Sequence, residues 1–167
     1  MITKIKKTLF FSFFLLIGIT SLANIIEVPN DYPTIQDAIN AAVSGDTVLV
    51  SPGTYYENIN YNGKNIIVAS HFILNNETSY IESTIINGSQ PIDPDFGSCV
   101  LFISGEDSTA ALIGFTLTGG TGTVWEDEHW LGHWFIEGGG ILIQYSAPTI
   151  RNNIIINNQA INVPTGI

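Results

Sequence analysis

Residues Thr34–Val50 read TIQDAINAAVSGDTVLV, and the change of rhythm inside them decides the fold. In Thr34–Val43, Ile35, Ala38, Ile39, Ala42 and Val43 recur at helical spacing, which predicts an amphipathic helix. Gly45-Asp46 ends it. From Thr47 onward the pattern becomes short apolar strands punctuated by Gly, Asn, Ser and Pro. The expected strands are Thr47–Val50, Ile66–Ala69, Thr84–Ile86, Val100–Ile103, Ala111–Leu117, Gly140–Gln144 and Asn153–Ile156. Val48/Val50, Ile113/Phe115/Leu117, Ile141/Ile143 and Ile154/Ile156 alternate with the period of a strand. Upstream, Ile25–Val28 (IIEV) reads as a strand and residues 29–33 (PNDYP) as turn chemistry. No second helix is expected between the strands, so a βαβ sheet is not the reading.

Strand starts recur about every 15–25 residues, a repeat-protein spacing. Asparagine clusters beside the strands, at Asn58, Asn60, Asn62, Asn65, Asn75, Asn76, Asn87, Asn152, Asn153, Asn157 and Asn158. Asn tolerates the left-handed backbone of tight corners and can hydrogen-bond along a stack. These features predict an all-β chain, a right-handed parallel β-helix (solenoid) with one N-terminal capping helix. An antiparallel sandwich also uses short strands and Asn/Gly turns. The single helix favours the solenoid, because the first coil of a stack needs a cover.

Three stretches resemble the secreted, bacterial pectate-lyase-like β-helix proteins (the pectin-lyase fold). They are Ile26–Asn58 (IEVPNDYPTIQDAINAAVSGDTVLVSPGTYYEN), Ile66–Ser70 with Thr84–Gly88, and Gly138–Asn158 (GGGILIQYSAPTIRNNIIINN). The resemblance implies the fold and a secreted or surface-exposed protein. It implies no single activity, because that fold carries lyases, hydrolases, esterases and adhesins.

Charge narrows the partners. Lys4, Lys6 and Lys7 precede an apolar run, Leu9–Ile19, and a small-x-small site at Ser21-Leu22-Ala23. This is the layout of a signal peptide, and the run is short of the about 20 residues that span a bilayer. The expected organisation is a signal peptide over 1–23, an N-terminal strand and capping helix over 24–45, and coils over 46–167 with a Trp-rich loop inserted at 121–137. The expected compartment is extracellular, cell-surface or periplasmic. Past the signal, two bases (Lys64 and Arg151) face 15 acids. Such a surface repels nucleic acid and anionic membranes, and takes a polyanion only through a bridging cation such as Ca²⁺. The lone Cys99 permits no internal disulfide.

The expected strands carry almost no carboxylates or bases, so no catalytic residue is assigned, and no cofactor beyond a weak case for Ca²⁺ at Asp93, Asp95, Glu106 and Asp107. The alternative is the N-terminal fragment of a polysaccharide lyase or hydrolase whose catalytic residues lie in further coils. Gly122–Glu137 (GTVWEDEHWLGHWFIE) holds all three tryptophans. Trp125, Trp130 and Trp134 suit stacking on the sugars of an extracellular polysaccharide, with Asp127 and Glu128 binding hydroxyls. His129 and His133, at i and i+4, suit a metal if the segment is helical. The competing reading packs the Trp rings and Phe135 against the coils. The apolar last coil is expected to be covered by further coils or by a partner, with the chain truncated at its C-terminus.

Overall fold

The computed structural model describes residues 22–127 and 129–161. The signal segment, except its last two residues, lies outside the described residues, as do Glu128 and residues 162–167. The chain is mostly β.

Strand β1 (Ile25–Val28) leads into helix α1 (Ile35–Ala41). Thr34 caps the helix, its Oγ1 accepting from the Asp37 N–H at 3.1 Å. The Glu57 carboxylate satisfies two more free N–H groups, those of Ile35 (3.0 Å) and Gln36 (2.9 Å). Ile35, Ala38 and Ile39 form the buried face. The helix stops short of the expected Val43, which is 51% exposed. Ala42 is already extended, and Asp46 draws the chain away by accepting from the N–H groups of Val43 (2.9 Å) and Asn24 (2.8 Å). Lys64 Nζ then donates to the carbonyls of Ile39, Asn40 and Ala42 at 2.7–2.8 Å, closing the C-terminal end.

The chain continues through β2 (Thr47–Val50), β3 (Gly53–Tyr55), β4 (Ile59–Asn60) and β5 (Ile67–Ser70). Two short helices follow, α2 (Phe72–Asn75) and α3 (Ser79–Ser83). They correct the expectation of a single helix. Each is little more than one turn, too short to leave a periodic signal. Phe72 and Ile81 pack with Ala69, Ala111 and Ile113 in a small second apolar cluster. Next come β6 (Thr84–Asn87), β7 (Phe96–Gly97), β8 (Val100–Phe102), β9 (Ala111–Ile113) and β10 (Thr116–Thr118). The expected strand Ala111–Leu117 is therefore two, divided by Gly114 at φ +83°. The last elements are β11 (Gly122–Glu126), β12 (Trp134–Glu137), β13 (Ile141–Ile143), β14 (Thr149–Arg151) and β15 (Ile154–Ile155).

Three sheets are wholly parallel: β1-β2-β5-β9-β14, β3-β6-β10-β15 and β4-β8-β13. A fourth, β7-β11-β12, is antiparallel. The chain visits the three parallel sheets in a fixed order: β2-β3-β4, then β5-β6-β8, then β9-β10-β13, then β14-β15. This pairing rules out the antiparallel sandwich. Like residues align across the ladders. Ile26, Val48, Val68, Leu112 and Ile150 are register partners in the first sheet, and Ile59, Val100 and Ile141 in the third. These columns, with Ile86, Phe115 and Leu117, meet in one core. There Tyr61 lies against Phe102 at 4.1 Å between ring centres and donates its hydroxyl proton to the Ala111 carbonyl at 2.7 Å.

Asparagine serves the corners. Asn62, Asn76, Asn152 and Asn157 have φ between +54° and +62°. Asn153 and Asn158 tie neighbouring strands: their side-chain amides donate to the Leu112 and Leu117 carbonyls (2.9 and 3.0 Å) and accept from the Phe115 and Gly120 N–H groups (both 2.8 Å).

Candidate functional site

The Trp-rich segment is a β-hairpin rather than an irregular loop or a helix. β11 and β12 pair antiparallel, with Trp125 opposite Phe135 and Glu126 opposite Trp134. Residues directly opposite share a face of a sheet, and neighbours along a strand take opposite faces. Trp125 and Phe135 therefore lie on one face, Trp134 and Glu126 on the other. The inner edge continues into β7, where Phe96 stands opposite Thr123. Thr123 is buried, and its hydroxyl lies 2.7 Å from that of Ser98, which anchors the hairpin to the body.

The tip is built by its acids. Asp127 Oδ1 accepts from the N–H groups of His129 (2.7 Å) and Trp130 (2.8 Å). Glu126 Oε1 accepts from the Gly132 N–H at 2.7 Å, and Gly132 has φ +86°. Asp127, expected to bind hydroxyls, uses its Oδ1 to fold the turn. Glu128 lies outside the described residues.

The three tryptophans separate. Trp130 (61% exposed) stacks on His133, with 3.6 Å between ring centres, and Trp134 is 62% exposed. Trp125 is half-buried, 6.4 Å from the Tyr145 ring, so for this residue packing against the body is what the structure shows. A hollow of about 150 Å³ beside Trp125 is lined by Trp125, Glu126, Asp127, His129, Glu137 and Gln144, and by neither of the other two tryptophans. The i, i+4 helical placement of His129 and His133 is not present, because the segment turns and His133 is committed to the Trp130 stack. Among the described residues no group of three or more His, Cys, Asp and Glu side chains is arranged to hold a metal ion.

The other acids considered from the sequence have local tasks. Glu106 is 1% exposed and accepts from the Gly63 N–H (2.8 Å), the Ser104 N–H (3.0 Å) and the Ser146 hydroxyl (2.7 Å). Burial alone would raise its carboxyl; these hydrogen bonds outweigh burial and hold it below the usual carboxylate range. Asp107 accepts from Thr109, and Asp93 Oδ1 accepts from the Asp95 N–H at 3.0 Å.

Sequence reasoning missed a cleft of about 490 Å³ between the first turn of α1 and residues 90–96. Its walls include Asp37, Tyr56, Glu57, Ile92, Asp93 and Phe96. In the sequence, Tyr56 and Glu57 belong to the stretch that resembles a fold motif and Asp93 to an acid-rich loop; nothing there brings them together. No family model, curated protein or solved structure matches the chain.

Proposed function

We propose that the chain is a right-handed parallel β-helix, of the pectate-lyase-like kind its sequence resembles, acting as a secreted or cell-surface module that binds polysaccharide through its hairpin. The fixed order in which the chain returns to three parallel sheets supports the solenoid reading, and parallel crossovers are almost always right-handed. The basic-then-apolar N-terminal sequence supports export. Among the described residues, no helix is long and apolar enough to cross a membrane.

The observation that carries the binding role is the exposure of Trp130 and Trp134 on a hairpin tied by hydrogen bonds of Asp127, Glu126 and Thr123. Large aromatic surfaces fixed by a scaffold suit stacking on the apolar faces of sugar rings. The reading assigns no catalytic residue. Lys64, one of two bases past the signal, is occupied by three helix carbonyls, which suits a structural part better than proton abstraction.

Retention on insoluble polysaccharides tests the role. Trp130→Ala and Trp134→Ala are each expected to weaken retention about three- to tenfold, the worth of one aromatic stack. Trp125→Ala is expected to lower stability as well. Unchanged retention in the first two variants, or none in the parent, contradicts the role.

A further inference from the structure

The 490 Å³ cleft lies in the size range of pockets that take small ligands. Its apolar surface is presented outward: Tyr56 is 56% exposed, Phe96 42%, and Ile92 fully exposed. Three carboxylates, Asp37, Glu57 and Asp93, lie in its wall, and no Lys, Arg or His does. Lys64 is held at the other end of α1. Glu57 is fixed in place by the two N–H groups it accepts from, whereas the Asp37 carboxylate is not drawn into capping its own helix. Burial pushes the Glu57 carboxyl up, and the like charge of Asp37 pushes it further. A cation entering the cleft would relieve that repulsion, and an anion would worsen it.

The cleft also adjoins the hairpin. Phe96 belongs to β7, whose partner β11 leads to the tip. Phe96 stands opposite Thr123, so the tip begins after Glu126, roughly 10 Å further along the strand. By the same register Phe96 shares the face of Trp125 and Phe135, not that of Trp134, so the cleft and Trp134 are separate contacts.

We infer that this cleft is a second carbohydrate subsite, and that it takes an oligosaccharide of protonated amino sugars rather than of uronates. The sugar faces lie on Tyr56 and Phe96, and the ammonium groups meet Asp37, Glu57 and Asp93. The inference rests on the glycan-binding reading above and gives that reading a substrate class.

Calorimetric titration of the full chain with three oligosaccharides of equal length tests it: glucosamine, N-acetylglucosamine and galacturonate oligomers. The glucosamine oligomer is expected to bind best and the galacturonate oligomer not to bind. Asp37→Asn and Tyr56→Ala, checked for unchanged circular dichroism, are each expected to weaken glucosamine-oligomer binding at least tenfold. Raising salt from 50 mM to 500 mM is expected to weaken it too, as screening requires. Binding lost in Trp134→Ala but intact in Asp37→Asn and Tyr56→Ala overturns the cleft and leaves the hairpin reading standing. Binding of none of the three oligomers overturns the cleft, and the hairpin reading falls with it only if the parent is also not retained on insoluble polysaccharide. Preference for galacturonate overturns the substrate class. A Lys-rich peptide that binds more tightly than the glucosamine oligomer, and is lost in the same two variants, overturns the choice of a carbohydrate.

Discussion

Glu106, Asp46 and Thr84 are buried polar residues with different outcomes. Glu106 and Asp46 find partners in two or more stretches of chain. The Thr84 hydroxyl is buried with none among the described residues. An unpaired buried hydroxyl costs about 1–3 kcal/mol, and an apolar group of the same shape does not incur that cost. Thr84→Val is therefore expected to stabilise the fold by about 1 kcal/mol in urea unfolding; a less stable variant contradicts this. The two acids set the pH response. Hydrogen bonds from the Val43 and Asn24 N–H groups hold the Asp46 carboxyl below its usual range, as those to Glu106 do there. Each favours folding while ionised, so its contribution is present above the unfolded pKa, about 4, and is lost as pH falls through the lower folded value. Glu57, shifted upward by burial, works in the opposite sense. Unfolding midpoints are expected to fall below about pH 4. Asp46→Asn and Glu106→Gln are expected to be less stable at pH 7, by about 1–3 kcal/mol for Glu106, with a flatter acid limb. An acid limb as steep as that of the parent protein contradicts the assignment. The sequence marked Asp46 at the end of the helix, but not its bond to Asn24, nor the bonds of Glu106 to Gly63 and Ser146, because those partners lie 22 to 43 residues away.

Among the elements, glycines set how closely the chain can pass itself. A Cβ on Gly120 would lie 1.9 Å from the Gly139 carbonyl oxygen, inside the glycine run Gly138–Gly140. One on Gly114 would lie 2.8 Å from the Phe72 Cβ, at a residue with φ +83°. Gly105 has the same φ but open space around it. Gly120→Ala is thus expected to destabilise by about 3 kcal/mol or more, and Gly105→Ala by only the backbone strain of about 1–2 kcal/mol. A loss in Gly120→Ala no larger than that in Gly105→Ala would contradict the close-approach argument. Helix α1 was legible because two turns of Ile and Ala suffice for a periodic signal. Helices α2 and α3 were not, since one turn carries a single buried anchor each, Phe72 and Ile81. Strand β14 hid inside a Pro- and Asn-bounded stretch that reads as a corner. The hairpin was visible as an interruption rich in Trp, but its attachment to β7 was not, because β7 is two residues long.

Across the molecule, the reading turns on which strands are neighbours. Apolar triplets announce that strands exist, but not that Val68 pairs with Leu112 across 44 residues while the helical excursion and several strands lie between. That pairing is parallel, which an antiparallel sandwich would not give. The tryptophans were legible as candidates; their separation onto two faces was not, since it follows from the register of β11 against β12. The most direct test of the account is a methyl-resolved nuclear Overhauser measurement on Val48, Val68, Leu112 and Ile150. Stacked parallel strands about 4.8 Å apart predict strong contacts from Val48 to Val68, Val68 to Leu112 and Leu112 to Ile150, with none from Val48 to Ile150. Close Cα–Cα proton contacts of antiparallel pairs among these same strands would contradict it.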